Sequence, residues 1–298
     1  MGNCEKYLNF VAHKHTKDTN MTEIPRSLKT LEAYQNAYRQ RLSALPYYNV
    51  VAPIIEGFLR QAVDRGAFYL RVHVIALDGI LSSRSIKSMM ETGTGATNGG
   101  KKTRQEVTQA LFGCEASTLQ PDDYPKYGFL SQPDAVKDLY VNGAMWCQYG
   151  DVSIQLKKEK LMHRTTLCVG NSVNFGNCHT LIPTRVDSIK ATCLCGLPHG
   201  EGRSFMAPAD PMSCYILFAT WILEKRLTID NFPMIEELAK DLPPVFDFFE
   251  LQYHGPISIT EDVERIDVAP SSAEELEKLT LLKEKFEAIG VKMYIKND

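Results

Sequence analysis

From position 27 to about 65, apolar residues recur at helical spacing. Leu28, Leu31, Tyr34, Tyr38 and Leu42 share one face, and beyond Pro46 a second stripe runs through Val51, Ile54, Ile55, Phe58, Leu59 and Val63. The spacing then becomes alternating: Phe68-Tyr69-Leu70-Arg71-Val72-His73-Val74-Ile75 reads as a strand with Arg71 and His73 on one face. A short helix is predicted from Ile80 to Met90, a Gly/Thr/Asn loop over 92–100 and a helix over 104–112. Short strands are predicted near 127–131, 148–156 and 162–169, the last carrying Arg164. Residues 176–210, rich in Gly, Pro and Cys, read as an irregular insertion, followed by helices near 212–227 and 233–241. A strand pair over 250–268 precedes a charged amphipathic helix from Ala273 to Ile289, capped by Ser271 or Ser272. Residues 1–25 show no periodicity and read as a leader. Strands and helices mixed in this irregular order predict an α+β fold.

Composition narrows the partners. The 298 residues carry 23% charged side chains and a formal net charge of -3, so no nucleic-acid partner is expected. The most apolar helical run, Tyr215 to Leu223, stops at Glu224-Lys225-Arg226 and is too short for a membrane span. No signal peptide is expected. Lys6 stands where a myristoylation site needs Ser or Thr, so no lipid anchor is expected either. Among eight cysteines, only Cys178, Cys193 and Cys195 cluster, with His199 nearby. Cys-x-Cys falls outside the preferred pair spacing of zinc sites, so reduced thiols and no metal are expected.

The densest chemistry lies in the run from Phe248 to Ile259, where strand alternation places Glu250 and Gln252 on one face and Phe249, Leu251 and Tyr253 on the other. A carboxylate framed by aromatic rings is desolvated and acts more strongly on a nearby positive charge. The run from Glu91 to Gly100 gives a backbone able to approach a ligand closely, with Thr92, Thr94 and Asn98 as donors. It is not a P-loop, because Lys101-Lys102 lack the glycine spacing before them and the Ser after. On the residues alone, an ordinary amphipathic strand and an ordinary surface loop also account for the two segments.

Glu250-x-Gln252-x-His254-Gly255-Pro256, followed by Asp262-Val263-Glu264, resembles the C-terminal signature of a bacterial family that carries an E-x-Q-x-H-G-P block. The family's E-T-G-T-S-N-G-G block is similar to residues 91–100. Its K-Y-G-A-L, F-G-S and R-T-T blocks are similar, in the same order, to Lys126-Tyr127-Gly128, Tyr149-Gly150 and Arg164-Thr165-Thr166. The blocks span about 68–268, with two departures. Asn171 stands before Ser172 where the family has Asp, and His73 alone remains of an H-P-D-R box. The family in turn resembles ADP-ribosyltransferases of the CteC type, which modify a threonine of ubiquitin and so block ubiquitination.

The resemblance implies an ADP-ribosyltransferase-like mixed β-sandwich core over residues 66–298, after a leader and helical region at 1–65, with an acceptor-recognition insertion at about 176–245. It implies NAD as substrate and Glu250 as the catalytic carboxylate, with His73, Glu91, Thr92, Asn98, Tyr127, Arg164, Thr166 and Gln252 as the residues that hold NAD. Arginine-directed transferases carry Glu or Gln two residues before the catalytic glutamate; Phe248 stands there, so a hydroxyl acceptor is expected, with a ubiquitin threonine the candidate. The implied setting is the cytoplasm, or the host cytosol for a secreted effector or toxin. Three other readings stay open: a non-catalytic interaction module on the same fold, an NAD glycohydrolase, and a zinc-stabilised binding domain built round Cys178, Cys193, Cys195 and His199.

Overall fold

Residues 26–29, 40, 43–44, 47–94, 100–131, 150–169, 184–186, 189–193, 219, 222–223 and 249–296 are described by a computed structural model. In chain order their strands are β1 (Ala67–Val72), β2 (Ser85–Ile86), β3 (Lys126–Ser131), β4 (Val152–Leu156), β5 (Thr165–Val169), β6 (Thr184–Val186), β7 (Ile189–Cys193), β8 (Phe249–Tyr253), β9 (Ile257–Ser258), β10 (Val263–Val268) and β11 (Lys292–Ile295). Their helices are α1 (Arg26–Lys29), α2 (Tyr48–Arg65), α3 (Leu77–Ser83), α4 (Met89–Thr92), α5 (Gly100–Phe112), α6 (Lys158–Leu161), α7 (Ile259–Asp262) and α8 (Ala273–Glu287). The fold is α+β. One mixed sheet runs β11-β10-β4-β1-β3-β8-β5-β7-β6, and β2 pairs with β9 in a separate ribbon. The β5–β7 and β10–β11 pairs are parallel, and the other pairs of the large sheet are antiparallel.

Strand alternation sorts the central strands into two chemically different faces. Phe68, Leu70, Leu130, Phe249, Leu251 and Tyr253 belong to the main apolar core, together with the buried stripe of α2 and with Leu279, Leu282 and Phe286 of α8. Phe58 of α2 meets Phe249 with ring centroids 6.0 Å apart, and Phe68 meets Tyr253 at 5.9 Å. Burying side chains of this size stabilises by about 1.5–3 kcal/mol each. The opposite face carries Arg71, Tyr127, Phe129, Glu250 and Gln252, and α5 reaches this polar face. Arg104 and Phe112, eight residues apart on one stripe of α5, meet Tyr127 and His254 respectively.

Gly128 shows why the Lys-Tyr-Gly run reads as it does. A Cβ there would collide with the Tyr69 carbonyl oxygen and lie 2.7 Å from the Tyr253 ring. That ring crosses β3 at Gly128 and sends its hydroxyl 3.1 Å to Tyr69 O. Gly150, at φ +122°, packs against the backbone of Val72 and His73 in the same way. Its carbonyl accepts from Arg71 Nε at 2.8 Å, and Asp151 Oδ1 accepts from Val74 N at 3.0 Å, so this corner fixes the end of β1.

Several predicted elements differ in the structure. The helix expected over Ile80–Met90 ends at Ser83, because Arg84 turns left-handed at φ 55° and Ser85-Ile86 pair with Ile257-Ser258. The strand pair over 250–268 is not a hairpin: β10 pairs with β4, leaving β3, β1 and β4 between it and β8. The expected irregular stretch at 176–210 contains β6 and β7, and β11 was not anticipated. The helix at Ala273 holds, with Ser272 Oγ accepting from Glu275 N at 3.2 Å. No helix among the described residues is long and apolar enough to cross a membrane.

Candidate functional site

A cavity of about 770 Å³ opens against the polar face of β1, β3 and β8, a size that suits a nucleotide or cofactor. Its wall brings together Glu250, Tyr127, Arg71, Arg104, His73 and Thr92, residues separated by up to 179 positions. Glu250 reaches it from the second position of β8, opposite Phe129 of β3, and is 4% exposed. His73 stands exposed at the rim, where β1 ends and a 3-10 turn begins. Thr92 stands at the end of α4, its hydroxyl donating to Ser88 O at 3.2 Å. Asn98 lies outside the described residues.

Tyr127 presents its ring to the cavity while its hydroxyl is sealed from solvent. Burial pushes the phenol pKa up; the Arg104 charge opposes this and the Glu250 charge adds to it. The Arg104 guanidinium lies 3.8 Å from the ring centroid, a cation–π stack. Arg104 is 6% exposed, and its Nη1 has no hydrogen-bond acceptor in reach among the described residues. A buried guanidinium nitrogen without an acceptor is costly unless an anion joins it.

The other expected NAD-holding residues are tied into the frame. Glu91 completes a capping box with Ser88, accepting from Ser88 N at 2.6 Å. It also pairs with the buried Lys126 at 3.2 Å, and Lys126 donates to Gly255 O at 3.0 Å. Burial pushes the Lys126 ammonium pKa down, and Glu91 pushes it back up. Arg164 ends a 3-10 turn and does not lie on a strand, contrary to the expectation. Its Nη1 donates to His254 O at 2.6 Å and its Nη2 pairs with Asp262 at 3.3 Å, which bolts the loop after β8. Burial lowers its pKa and Asp262 opposes that. The arginine on a core strand that lines the cavity is Arg71.

Thr166 and Gln252 are fully buried and bond to each other beneath the cavity wall: Thr166 Oγ1 donates to Gln252 Oε1 at 2.8 Å, and Gln252 Nε2 donates to Glu250 Oε1 at 2.8 Å. Arg104 escaped the sequence reading, because its place on a helix does not set it apart from a solvated cation. Among the described residues no group of three or more His, Cys, Asp or Glu could hold a metal ion. Cys178, Cys195 and His199 lie outside the described residues. No family model and no curated protein matches the chain, so the site is read from its own geometry.

Proposed function

We propose that the chain is an NAD-dependent mono-ADP-ribosyltransferase acting on a protein hydroxyl, with a threonine of ubiquitin the candidate acceptor. The observation that carries this reading is the meeting of Glu250 with a cation-rich cavity wall that also offers an aromatic ring and a histidine. An anionic, partly aromatic substrate suits such a wall. In the proposed reaction the bond between the ribose C1′ and nicotinamide nitrogen breaks, and its electron pair leaves with neutral nicotinamide. Positive charge then develops on the ribose, and the buried Glu250 carboxylate stabilises it. The acceptor oxygen bonds to C1′ and passes its proton to solvent water. His73 and Thr92, on the rim, hold the ribose and amide, and Tyr127 lies against the nicotinamide.

The test is incubation with labelled NAD and a host-cell lysate, comparing wild type with Glu250→Gln. A labelled protein band, reduced by roughly 10²–10³-fold or more in the variant, is expected. Near-wild-type labelling by the variant would remove Glu250 from the mechanism. Release of ADP-ribose without a labelled protein would indicate a glycohydrolase, and absence of NAD binding at millimolar ligand would indicate a non-catalytic module.

A further inference from the structure

Gln252, Thr166, His254 and Ser27 link Glu250 to the N-terminal turn α1 by an unbroken file of hydrogen bonds. All four linking residues are 0% exposed, so water does not compete for them. The direction of each bond follows from donor and acceptor counts. A carboxylate only accepts, so the amide nitrogen of Gln252 faces Glu250 Oε1 at 2.8 Å and the amide oxygen faces Thr166. Thr166 spends its single proton on that oxygen at 2.8 Å. Its Oγ1 can then only accept from His254 Nε2, 3.0 Å away, so Nε2 carries a proton.

The other ring nitrogen does not disturb this order. Nδ1 lies 2.7 Å from Ser27 Oγ, which also stands 3.1 Å from Asp123 O. A bare Nδ1 accepts the Ser27 proton; a protonated Nδ1 donates to Ser27, which then donates to Asp123 O. Either way the Nε2 proton faces Thr166. The ring is also held mechanically: Phe112 packs edge-on at 4.8 Å, His254 N donates to Arg164 O at 2.9 Å, and His254 O accepts from Arg164.

We propose that His254 is a positioning residue for the Glu250 carboxylate, acting as an Nε2–H donor through Thr166 and Gln252. Without that donor, Thr166 can turn its proton elsewhere and the Gln252 amide can flip, which sets an amide oxygen against the carboxylate and lets it swing away. The catalytic consequence rests on the transferase reading; the protonation state of His254 does not.

The test uses the full chain and paired substitutions. Thr166→Val and His254→Leu break the file, whereas Thr166→Ser and His254→Gln keep a donor or hydroxyl in place. The breaking variants are expected to lower kcat for NAD turnover by roughly 10²-fold with KM nearly unchanged, and the conservative variants to recover most of it. In a Glu250→Gln background, His254→Leu should add almost nothing. An undiminished effect there, or an unchanged kcat in a folded Thr166→Val protein, overturns the proposal. Nitrogen-15 NMR of the histidine rings gives the second arm. A proton on Nε2 is expected, and a bare Nε2 on His254 overturns the proposal whether or not the protein turns over NAD. If wild type shows a protonated Nε2 but no turnover, only the transferase reading falls.

Discussion

Replacing Gly128 with alanine tests how β3 and β8 are locked together beneath the cavity. The added methyl meets the Tyr69 carbonyl oxygen and the Tyr253 ring, and neither is a flexible chain end that can simply move aside. Tyr253 is fully buried, its ring packed on Phe68 and its hydroxyl bonded to Tyr69 O at 3.1 Å. Overpacking of this kind costs about 1–3 kcal/mol. Displacing the ring also strands a buried phenol hydroxyl, at about 1–3 kcal/mol more. A loss of about 2–6 kcal/mol therefore follows, which at roughly 2–4 °C per kcal/mol is a readily measured fall in Tm. Denaturant unfolding of Gly128→Ala, Tyr253→Leu and the double variant is the assay. Removing the ring relieves part of the clash, so the double variant should be more stable than the sum of the single losses by about 1 kcal/mol or more. A Gly128→Ala protein within about 0.5 kcal/mol of wild type, or strict additivity, would refute the close approach.

Arg104→Gln should weaken binding of NAD about tenfold or more in calorimetry, since an ionic hydrogen bond contributes about 1.5–3 kcal/mol. Its Tm should hold or rise, because a buried guanidinium nitrogen without an acceptor is removed; a clear fall in Tm with unchanged binding would make Arg104 structural. Lys126→Met leaves Glu91 without its cation and Gly255 O without its donor. A loss of about 1–3 kcal/mol is expected, since Glu91 is partly exposed, and adding Glu91→Gln should restore part of it in denaturant unfolding. Burial holds the Tyr253 phenol pKa well above its ordinary 10.0. The unfolded chain therefore ionises first, and stability present below pH 10 is lost as pH rises towards the folded value; Tyr253→Phe should flatten that alkaline loss in a pH series of melts.

The helices that survive from pattern to structure include α2, with a long apolar stripe and no side-chain cap, and α8, with Ser272 as its cap. The stripe of α2 from Val51 to Val63 and the capped α8 were both legible, because many residues vote for one period. Both faces of β8 were legible for the same reason. Where one residue decides, the pattern was silent. Arg84 adopting a left-handed conformation splits an apparent helix, and β10 joins β4 because long-range packing selects its partner. Neither choice leaves a local periodic trace. Arg104 was hidden because a cavity cation on a helix has the same spacing as a solvated one.

The motif residues divide by what their side chains do. Glu91 holds Lys126 and a turn, Arg164 holds the loop at His254, and Thr166 and Gln252 hold Glu250. Sequence alone cannot separate such braces from ligand contacts, since both call for polar groups at fixed spacing near one cleft. Burial separates them: a fully buried hydroxyl or amide bonded within the frame lies out of a substrate's reach. That leaves Glu250, His73, Thr92 and the Tyr127 ring, with the arginines of β1 and α5, as the surface a ligand meets. The braces matter to chemistry all the same. A carboxylate that must face a short-lived positive charge acts only when its orientation is set beforehand. In this chain that orientation depends on residues from β5, β8 and α1, so the first described turn of the protein takes part in a site more than two hundred residues away.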